Sequence, residues 1–429
     1  MMKRIFILVI SLACCFLTAQ DYESFLIGDP ADVSPTPTYG LCLMGGATED
    51  DNAMTWLLSR ANGGDVVVLR TSGSDGYNDY MFNQLNVSLN SVETLVINNA
   101  NGATADYVKN RVSEAELIWL AGGDQWNYVD FFKDSALENI LNDHINQKQA
   151  PIGGTSAGMA ILSNHYFDAE NGTVTSAEAL NNPFNSKVSL GHDDFLDLPY
   201  MQNTITDTHH DNPDRKGRHS VFLARIAQQV GGHALGIAAD EFTAICIDEN
   251  GMASVYGEYP NFNDFAYFIR SNCENANFLP EDLNAGNPLT WNRNQQAIKV
   301  YKVPGTSGGN NTFNLSDWKS GSGGSWENWW IENGNLNENS GNPINCTLST
   351  SDHQAENINI FPNPATNVIH LQSDRPIEEI AIFDLQGKIV HQQSKVINNR
   401  LNISFLSDGM YLLQLKTDNQ QKVFRLIKK

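Results

Sequence analysis

The chain has 429 residues, room for two or three domains, and 41% of them are hydrophobic, enough for a sizeable core. Its 49 Asp and Glu outnumber 27 Lys and Arg, and the net charge of −22 excludes the usual electrostatic route to nucleic-acid phosphates or anionic lipid. This acidity fits an extracellular protein and says nothing of the fold.

Taken in chain order, Lys3 and Arg4 precede the apolar run from Ile5 to Leu17, and Ala19 closes it with a small residue. The pattern predicts a secretory signal peptide over residues 1–19, cut between Ala19 and Gln20. The run is too short for a membrane span. A lipoprotein reading through Cys14 is weaker, because Ser11 stands where an apolar residue is usual. Residues 20–39 are polar, contain Pro30, Pro35 and Pro37, and predict an extended lead-in. From Tyr39 the pattern turns regular. A strand from Gly40 to Met44 ends in Gly45-Gly46, followed by a helix from Asp51 to Ala61, strands from Asp65 to Arg70 and Glu93 to Asn98, and a helix from Ala105 to Arg111. A strand from Ala115 to Leu120 ends in Gly122-Gly123, and helical sequence fills Asn127 to Gln147. Short, continuous apolar strands alternating with helices predict an α/β domain, a parallel sheet flanked by helices, with ligand-binding loops at the carboxyl ends of the strands.

Next comes Gln149-Ala150-Pro151-Ile152-Gly153-Gly154-Thr155-Ser156-Ala157-Gly158-Met159-Ala160, in which Gly154 to Gly158 reads G-x-S-x-G. An apolar run enters this stretch and a helix-forming run leaves it, which predicts a strand-Ser-helix nucleophile elbow. Glycines on both sides admit the strained turn and let substrate approach. The new helix aims free N–H groups at the space beside Ser156, where an oxyanion would form. The same letters also arise in plain glycine-rich turns, so the neighbours decide. Residues 166–200 carry little regularity, and Arg218 to Val230 predicts a helix. Leu235–Ala238 and Thr243–Ile247 predict two strands joined as a hairpin through Asp240-Glu241.

From Pro304 to Asn345 the chain is rich in Gly, Ser and Asn and carries Trp318, Trp326, Trp329 and Trp330. Such a cluster can form a sugar platform, but more often it pins an irregular segment to a core, which is the preferred reading. Past a boundary near Thr347 to Glu356, strands follow at Val368–Gln372, Glu379–Asp384, Lys388–His391, Leu401–Phe405, Met410–Thr417 and Lys422–Ile427. With turns at Gln386-Gly387 and Asp408-Gly409, they predict a small all-β sandwich. The resulting layout is a signal peptide at 1–19, a main domain at 20–305, an extension at 306–350 and a tail domain at 351–429. Cys42 and Cys246 lie in apolar strands and read as buried thiols; Cys273 and Cys346 lie in polar loops and suit a disulfide in an oxidising compartment.

A serine hydroxyl is a poor nucleophile until a base takes its proton, and the base is usually a histidine oriented by a carboxylate. His209 stands out, because an apolar strand end leads to Asp207-Thr208-His209 and then Arg215 and Arg218 precede a helix. Arginines beside a reactive serine can clamp a substrate carboxylate. His209, His210, Asp211 and Asp214 also have metal-ligand chemistry, but their spacing is not a zinc pattern, so no metal and no organic cofactor is expected. Glu241 could orient the imidazole, Gly45-Gly46 could supply a second oxyanion donor, and Gly122-Gly123-Asp124-Gln125 could shape the pocket floor. The chain order serine, histidine, acid argues against an esterase of the α/β-hydrolase type. The non-catalytic rival is a surface binding protein that uses the tryptophan-rich segment on a fold whose site is inactive.

As a set, the G-G-T-S-A-G turn, G-G-D-Q, D-x-H with its downstream arginines, and A-D-E-x-T-A make residues 40 to about 305 resemble the cyanophycinase and dipeptidase-E-like serine peptidases. Residue by residue, the resemblance makes Ser156 the nucleophile, His209 the base and Glu241 the carboxylate. It makes Gln125, Asp207, Arg215 and Arg218 substrate-binding candidates, while the turns themselves make N–H groups near Ala157 and Gly46 the expected oxyanion donors. With the signal peptide, the expectation is a secreted exopeptidase-like hydrolase acting on a peptide or isopeptide bond; the arginines point to a substrate with a nearby carboxylate, and a homodimer is an open expectation. Two positions depart from the family. Pro213 stands where cyanophycinase has an arginine, and His210 where phenylalanine is common. One guanidinium fewer weakens the case for the branched aspartyl-arginine polymer as substrate and leaves the chemistry in place. Through F-P-N-P, I-F-D-L-Q-G-K, L-S-D-G-M-Y-L-L and the basic end Val423 to Lys429, the tail resembles the C-terminal sorting domain of the type IX secretion system. That implies the type IX machinery as partner and a secreted or surface-attached product.

Overall fold

The computed structural model describes residues 20–346, 359–361, 363–372, 377, 379–384, 388–394, 400–416 and 421–429. The expected signal peptide, the boundary stretch 347–356 and the Gln386-Gly387 turn lie outside the described residues. The chain divides into two units, Met1–Asn345 and Cys346–Lys429.

The continuous apolar runs are strands covered on both faces. Val66, Val67, Val68 and Leu69 are all fully buried although successive side chains point opposite ways. They lie in a ten-strand sheet whose spatial order is Tyr22–Gly28, Ser91–Ile97, Asp65–Arg70, Leu117–Leu120, Ile152–Thr155, Gly40–Met44, Ala244–Asp248, Met252–Tyr256, Asn311–Asn314 and Gly321–Ser322. The strands from Ser91–Ile97 to Gly40–Met44 pair in parallel, and the others pair antiparallel, so the sheet is mixed. Helix Asp51–Ser59 covers one face, placing Met54 and Leu57 in a cluster with Cys42 and Val66. Asp50 caps this helix by accepting the Ala53 N–H at 2.8 Å.

A second sheet has no counterpart in the sequence reading. Its eight strands are Asn335–Ser340, Ser325–Glu332, Ile298–Pro304, Phe265–Ser271, Leu235–Ala239, Thr204–Asp207, His165–Phe167 and Leu190–His192. Leu43, Leu69 and Ile118 of the first sheet share a core with Leu137 and Leu141 of helix Ala136–Asn146 and with Ile237 and Phe268 of the second sheet. Helix Lys216–Val230 covers the far side, with Val221, Phe222 and Ile226 clustered with Ile205, Ile269 and Val300.

Several elements differ from expectation. Asp240-Glu241 does not close a hairpin. Leu235–Ala239 pairs with Thr204–Asp207 in the second sheet, whereas Ala244–Asp248 pairs with Gly40–Met44 in the first. The buried residues of both runs are apolar, so their sequence carries no sign of which sheet each joins. The lead-in contains the edge strand Tyr22–Gly28, held antiparallel to Ser91–Ile97. The helical stretch after Asn127 breaks at Asp134, which has φ 59°, and Ser135 caps a new helix by accepting from Leu137 N–H at 3.1 Å. The segment from residue 306 forms strands of both sheets. Trp318 and Trp329 are fully packed and Trp326 and Trp330 partly so, anchoring regular structure rather than an irregular segment. Cys273 and Cys346 are disulfide-bonded, and Cys42 and Cys246 are free and buried. Among the described residues no helix is long and apolar enough to cross a membrane.

The second unit is a small all-β sandwich. Asn359–Phe361, Val368–Gln372 and Arg400–Asn402 form one antiparallel sheet. Ile389–Ser394, Glu379–Phe383, Gly409–Lys416 and Gln421–Lys428 form the other. Ile369 and Leu371 of the first meet Ile380, Ile382, Leu413 and Leu415 of the second in one apolar cluster.

Candidate active site

Thr155 is in register with Met44, and Gly154 with Leu120, so three parallel strands end level. Ser156, Gly45-Gly46 and Gly122-Gly123 therefore leave from one rim. Ser156 joins strand Ile152–Thr155 to the short helix Ala157–Ala160 at φ 51°, ψ −113°, a sparsely populated conformation for a residue with a Cβ. The crowding explains the glycines. A Cβ on Gly158 would lie 2.0 Å from the Leu120 carbonyl oxygen, and one on Gly154 would lie 2.7 Å from the Gly158 carbonyl carbon. The Ser156 N–H donates to Met44 O at 3.1 Å.

The imidazole and the carboxylate come from the second sheet. Asp207 and Ala238 are register partners on neighbouring parallel strands, so Thr208-His209 and Asp240-Glu241 emerge side by side. His209 N–H donates to Gly45 O at 2.8 Å and Phe242 N–H to Gly46 O at 3.1 Å, stitching these loops to the glycine loop of the first sheet. Ser156 Oγ lies 2.9 Å from His209 Nε2, and His209 Nδ1 lies 2.6 Å from Glu241 Oε1. An ionised carboxylate only accepts, so Nδ1–H donates to it and Nε2 is left to accept from the serine hydroxyl. The His209 hydrogen bond, working against burial, holds the Glu241 carboxyl below its usual range. Gly46, at φ 118°, lies under the ring; a Cβ there would be 2.3 Å from His209 Nε2.

Two neighbours of this chain of bonds take roles the sequence did not suggest: Asn212 was not singled out, and Asp211 stood only among residues of metal-ligand chemistry. Asn212 Nδ2 donates to Glu241 Oε2 at 3.2 Å, and Glu241 N–H donates to Asp211 Oδ1 at 2.9 Å. Short Asx side chains two and three residues after His209 were the available signal, since such residues favour local backbone contacts.

The expected substrate residues separate into buried and accessible groups. Arg218 Nε and Nη2 donate to Asp207 Oδ2 and Oδ1 at 2.9 and 2.5 Å, and both side chains are 3% exposed. Burial would raise the Asp207 carboxyl, but the Arg218 guanidinium outweighs it and holds that carboxyl well below its usual range. Arg218 Nη1 also donates to Thr173 Oγ1 at 3.0 Å. These two side chains thus serve each other, because a buried pair and a surface clamp use the same residue types. Arg215 is half-buried and donates from Nη1 to Thr208 O at 3.0 Å. Gln125 opens helix Gln125–Phe132 and donates to Phe167 O at 3.4 Å, while a Cβ on Gly122 would lie 3.6 Å from Ser156 Cβ. Ala157 is the first helical residue after the serine.

Of the four metal-type residues in the histidine loop, His210 alone joins a compact group, with Asp207 and His219, whose ligand atoms lie within 4.8 Å of one another. Arg218 already holds both Asp207 oxygens, so a cation would face a guanidinium in a buried site, and these residues do not fit a metal. Beside Phe242 is a cavity of about 710 Å³ lined by Glu49, Asp50, Asp51, Glu258 and Asp264 together with Phe262.

Residues 71–255 match the model of Peptidase family S51, and residues 359–429 match the secretion system C-terminal sorting domain, which indicates type IX secretion to the cell surface or the exterior. Cyanophycinase from Nostoc sp. is 25% identical over 169 residues, 39% of this chain and 51% of that protein. Cyanophycinase from Synechococcus elongatus is 24% identical over 229 residues, 51% of this chain and 66% of that protein. The chain thus spans about half the length of the first of these relatives. A solved peptidase from an acI-B1 Actinobacterium is 16% identical, with a TM-score of 0.39 over 52% of this chain and 89% of that one.

Proposed function

We propose that the first unit is a secreted serine hydrolase of exopeptidase type that cleaves peptide or isopeptide bonds. The observation that carries this reading is the unbroken path from Ser156 Oγ through the His209 imidazole to Glu241, at 2.9 and 2.6 Å. His209 Nε2 takes the Ser156 proton as Oγ attacks the scissile carbonyl, then delivers it to the leaving amine. Water enters by the same route and releases the acyl group. Glu241 holds the tautomer and stabilises the imidazolium, and Asn212 and Asp211 hold Glu241. The strand-Ser-helix turn acts as the nucleophile elbow. Since the serine's own N–H is engaged by Met44 O, the oxyanion is met by the N–H groups of Ala157 and Gly46.

Arg215 is the arginine of this loop left for a substrate carboxylate, with Gln125 on the neighbouring rim. The acidic cavity beside Phe242 suits a cationic side chain on the same substrate. Asp207 and Arg218 position the His209 loop from below. Residues 1–19 and the tail direct export. A dipeptide library including β-aspartyl members and the aspartyl-arginine polymer, read by mass spectrometry, tests the proposal. Ser156→Ala should lose turnover by about 10⁴-fold or more with an unchanged thermal midpoint, and retained turnover would overturn the assignment.

A further inference from the structure

We propose that Cys42 and Cys246 become a cross-strand disulfide when the chain folds in an oxidising compartment, a covalent tie directly behind the candidate active site. The two residues are register partners on the antiparallel strands Gly40–Met44 and Ala244–Asp248, and their sulfurs lie 3.7 Å apart. Gly45 N–H donates to Thr243 O at 2.9 Å, which marks 45/243 as a hydrogen-bonded position. Alternation along the ladder then makes 42/246 a non-hydrogen-bonded position, where facing Cα atoms approach to about 4.5 Å and side chains come closest. That spacing is within the range disulfides adopt, and the sulfurs need to close by roughly 1.7 Å through side-chain rotation.

The surroundings favour the oxidised state. Cys273 and Cys346 of the same chain are already disulfide-bonded, and the sorting-domain match directs the chain away from the reducing cytoplasm. The chemistry requires a disulfide oxidant, such as an oxidoreductase or glutathione disulfide. One cysteine thiolate attacks the carrier disulfide and releases a carrier thiol, and the second then displaces the other carrier sulfur. The protein loses two hydrogens and the carrier gains them. Cys42 and Cys246 are 0% and 1% exposed, and burial raises the Cys246 thiol well above its usual range. Exchange is therefore suppressed once the sheet is covered, and the bond forms while the strands pair. The first strand delivers Gly45-Gly46 beneath His209, and the second follows directly on Glu241, so the tie links the two sides of the site.

The test uses the full chain refolded in a glutathione redox buffer and, in parallel, under reductant. Each sample is denatured, alkylated and digested without reduction. The expected result is a peptide pair joining Cys42 to Cys246, two hydrogens lighter than the separate peptides, in the oxidised sample only. The oxidised form should also unfold at a temperature several degrees higher than the reduced form, and that difference should shrink in Cys42→Ala. Alkylation of both thiols in most molecules of the oxidised, folded protein would overturn the proposal, whatever the variant does.

Discussion

Replacing Gly46 by alanine tests the geometry of the candidate site at one atom. The added Cβ would stand 2.3 Å from His209 Nε2 and 2.4 Å from Cε1, while ordinary contact begins near 3.4 Å. The imidazole must therefore retreat by about 1 Å, because the backbone beneath is pinned by the Phe242 N–H on Gly46 O and the His209 N–H on Gly45 O. Retreat lengthens the 2.9 Å contact to Ser156 Oγ beyond hydrogen-bond reach. A displacement of that size at a reacting group costs about 10²-fold in rate, close to 3 kcal/mol of barrier. The φ of 118° adds about 1–3 kcal/mol of folding strain, visible as a lower thermal midpoint. The assay is turnover of the best library substrate at saturation, with circular dichroism checking the fold. A Gly46→Ala protein with kcat within twofold of the parent would refute the placement of His209 as the base.

Other substitutions probe separate links. Glu241→Gln keeps the shape but turns an acceptor into a group that can donate to Nδ1, favouring the wrong tautomer; kcat should drop about 10⁴-fold with little change in stability, measured as turnover and thermal midpoint. Arg218→Met leaves the Asp207 carboxylate buried without its partner, and urea unfolding should report a loss of about 3–5 kcal/mol, partly restored by adding Asp207→Asn. Unchanged stability with a raised KM would instead mean that Arg218 reaches substrate. His144 and His219 are held neutral by burial, their pKa values lowered from 6.5 to about 4. Below pH 6.5 the unfolded chain takes up protons that the folded chain refuses, so stability should fall as the pH drops from 6.5 toward 4, by about 3 kcal/mol per histidine. His144→Gln should remove one proton from that slope in urea titrations across the window, and an unchanged slope would count against a buried neutral imidazole.

Much of the first sheet was legible in the sequence. Gly40–Met44, Asp65–Arg70 and the run before Ser156 are short and apolar on both faces, and glycines mark where they end, since a strand buried on both sides carries no polar alternation. The sandwich tail was legible too, from alternating strands and turn dipeptides. The second sheet was not. Thr204–Asp207 and His165–Phe167 are too short to show a period, and Leu235–Ala239 carries the same apolar signature as the strands of its neighbour.

The sequence by itself determined the local states: strand, glycine turn, serine, helix, and a histidine and a glutamate each at a strand end. It also supplied the residue types that relay a proton. Only tertiary structure decided that 240–243 crosses between sheets, which brings Glu241 and His209 onto Ser156, and that Arg218 folds inward onto Asp207 while Arg215 stays near the surface. The physical reason is range. Backbone preference and periodicity act over a few residues, whereas the pairing of a buried charge and the choice of a sheet partner depend on which distant surfaces exclude water together.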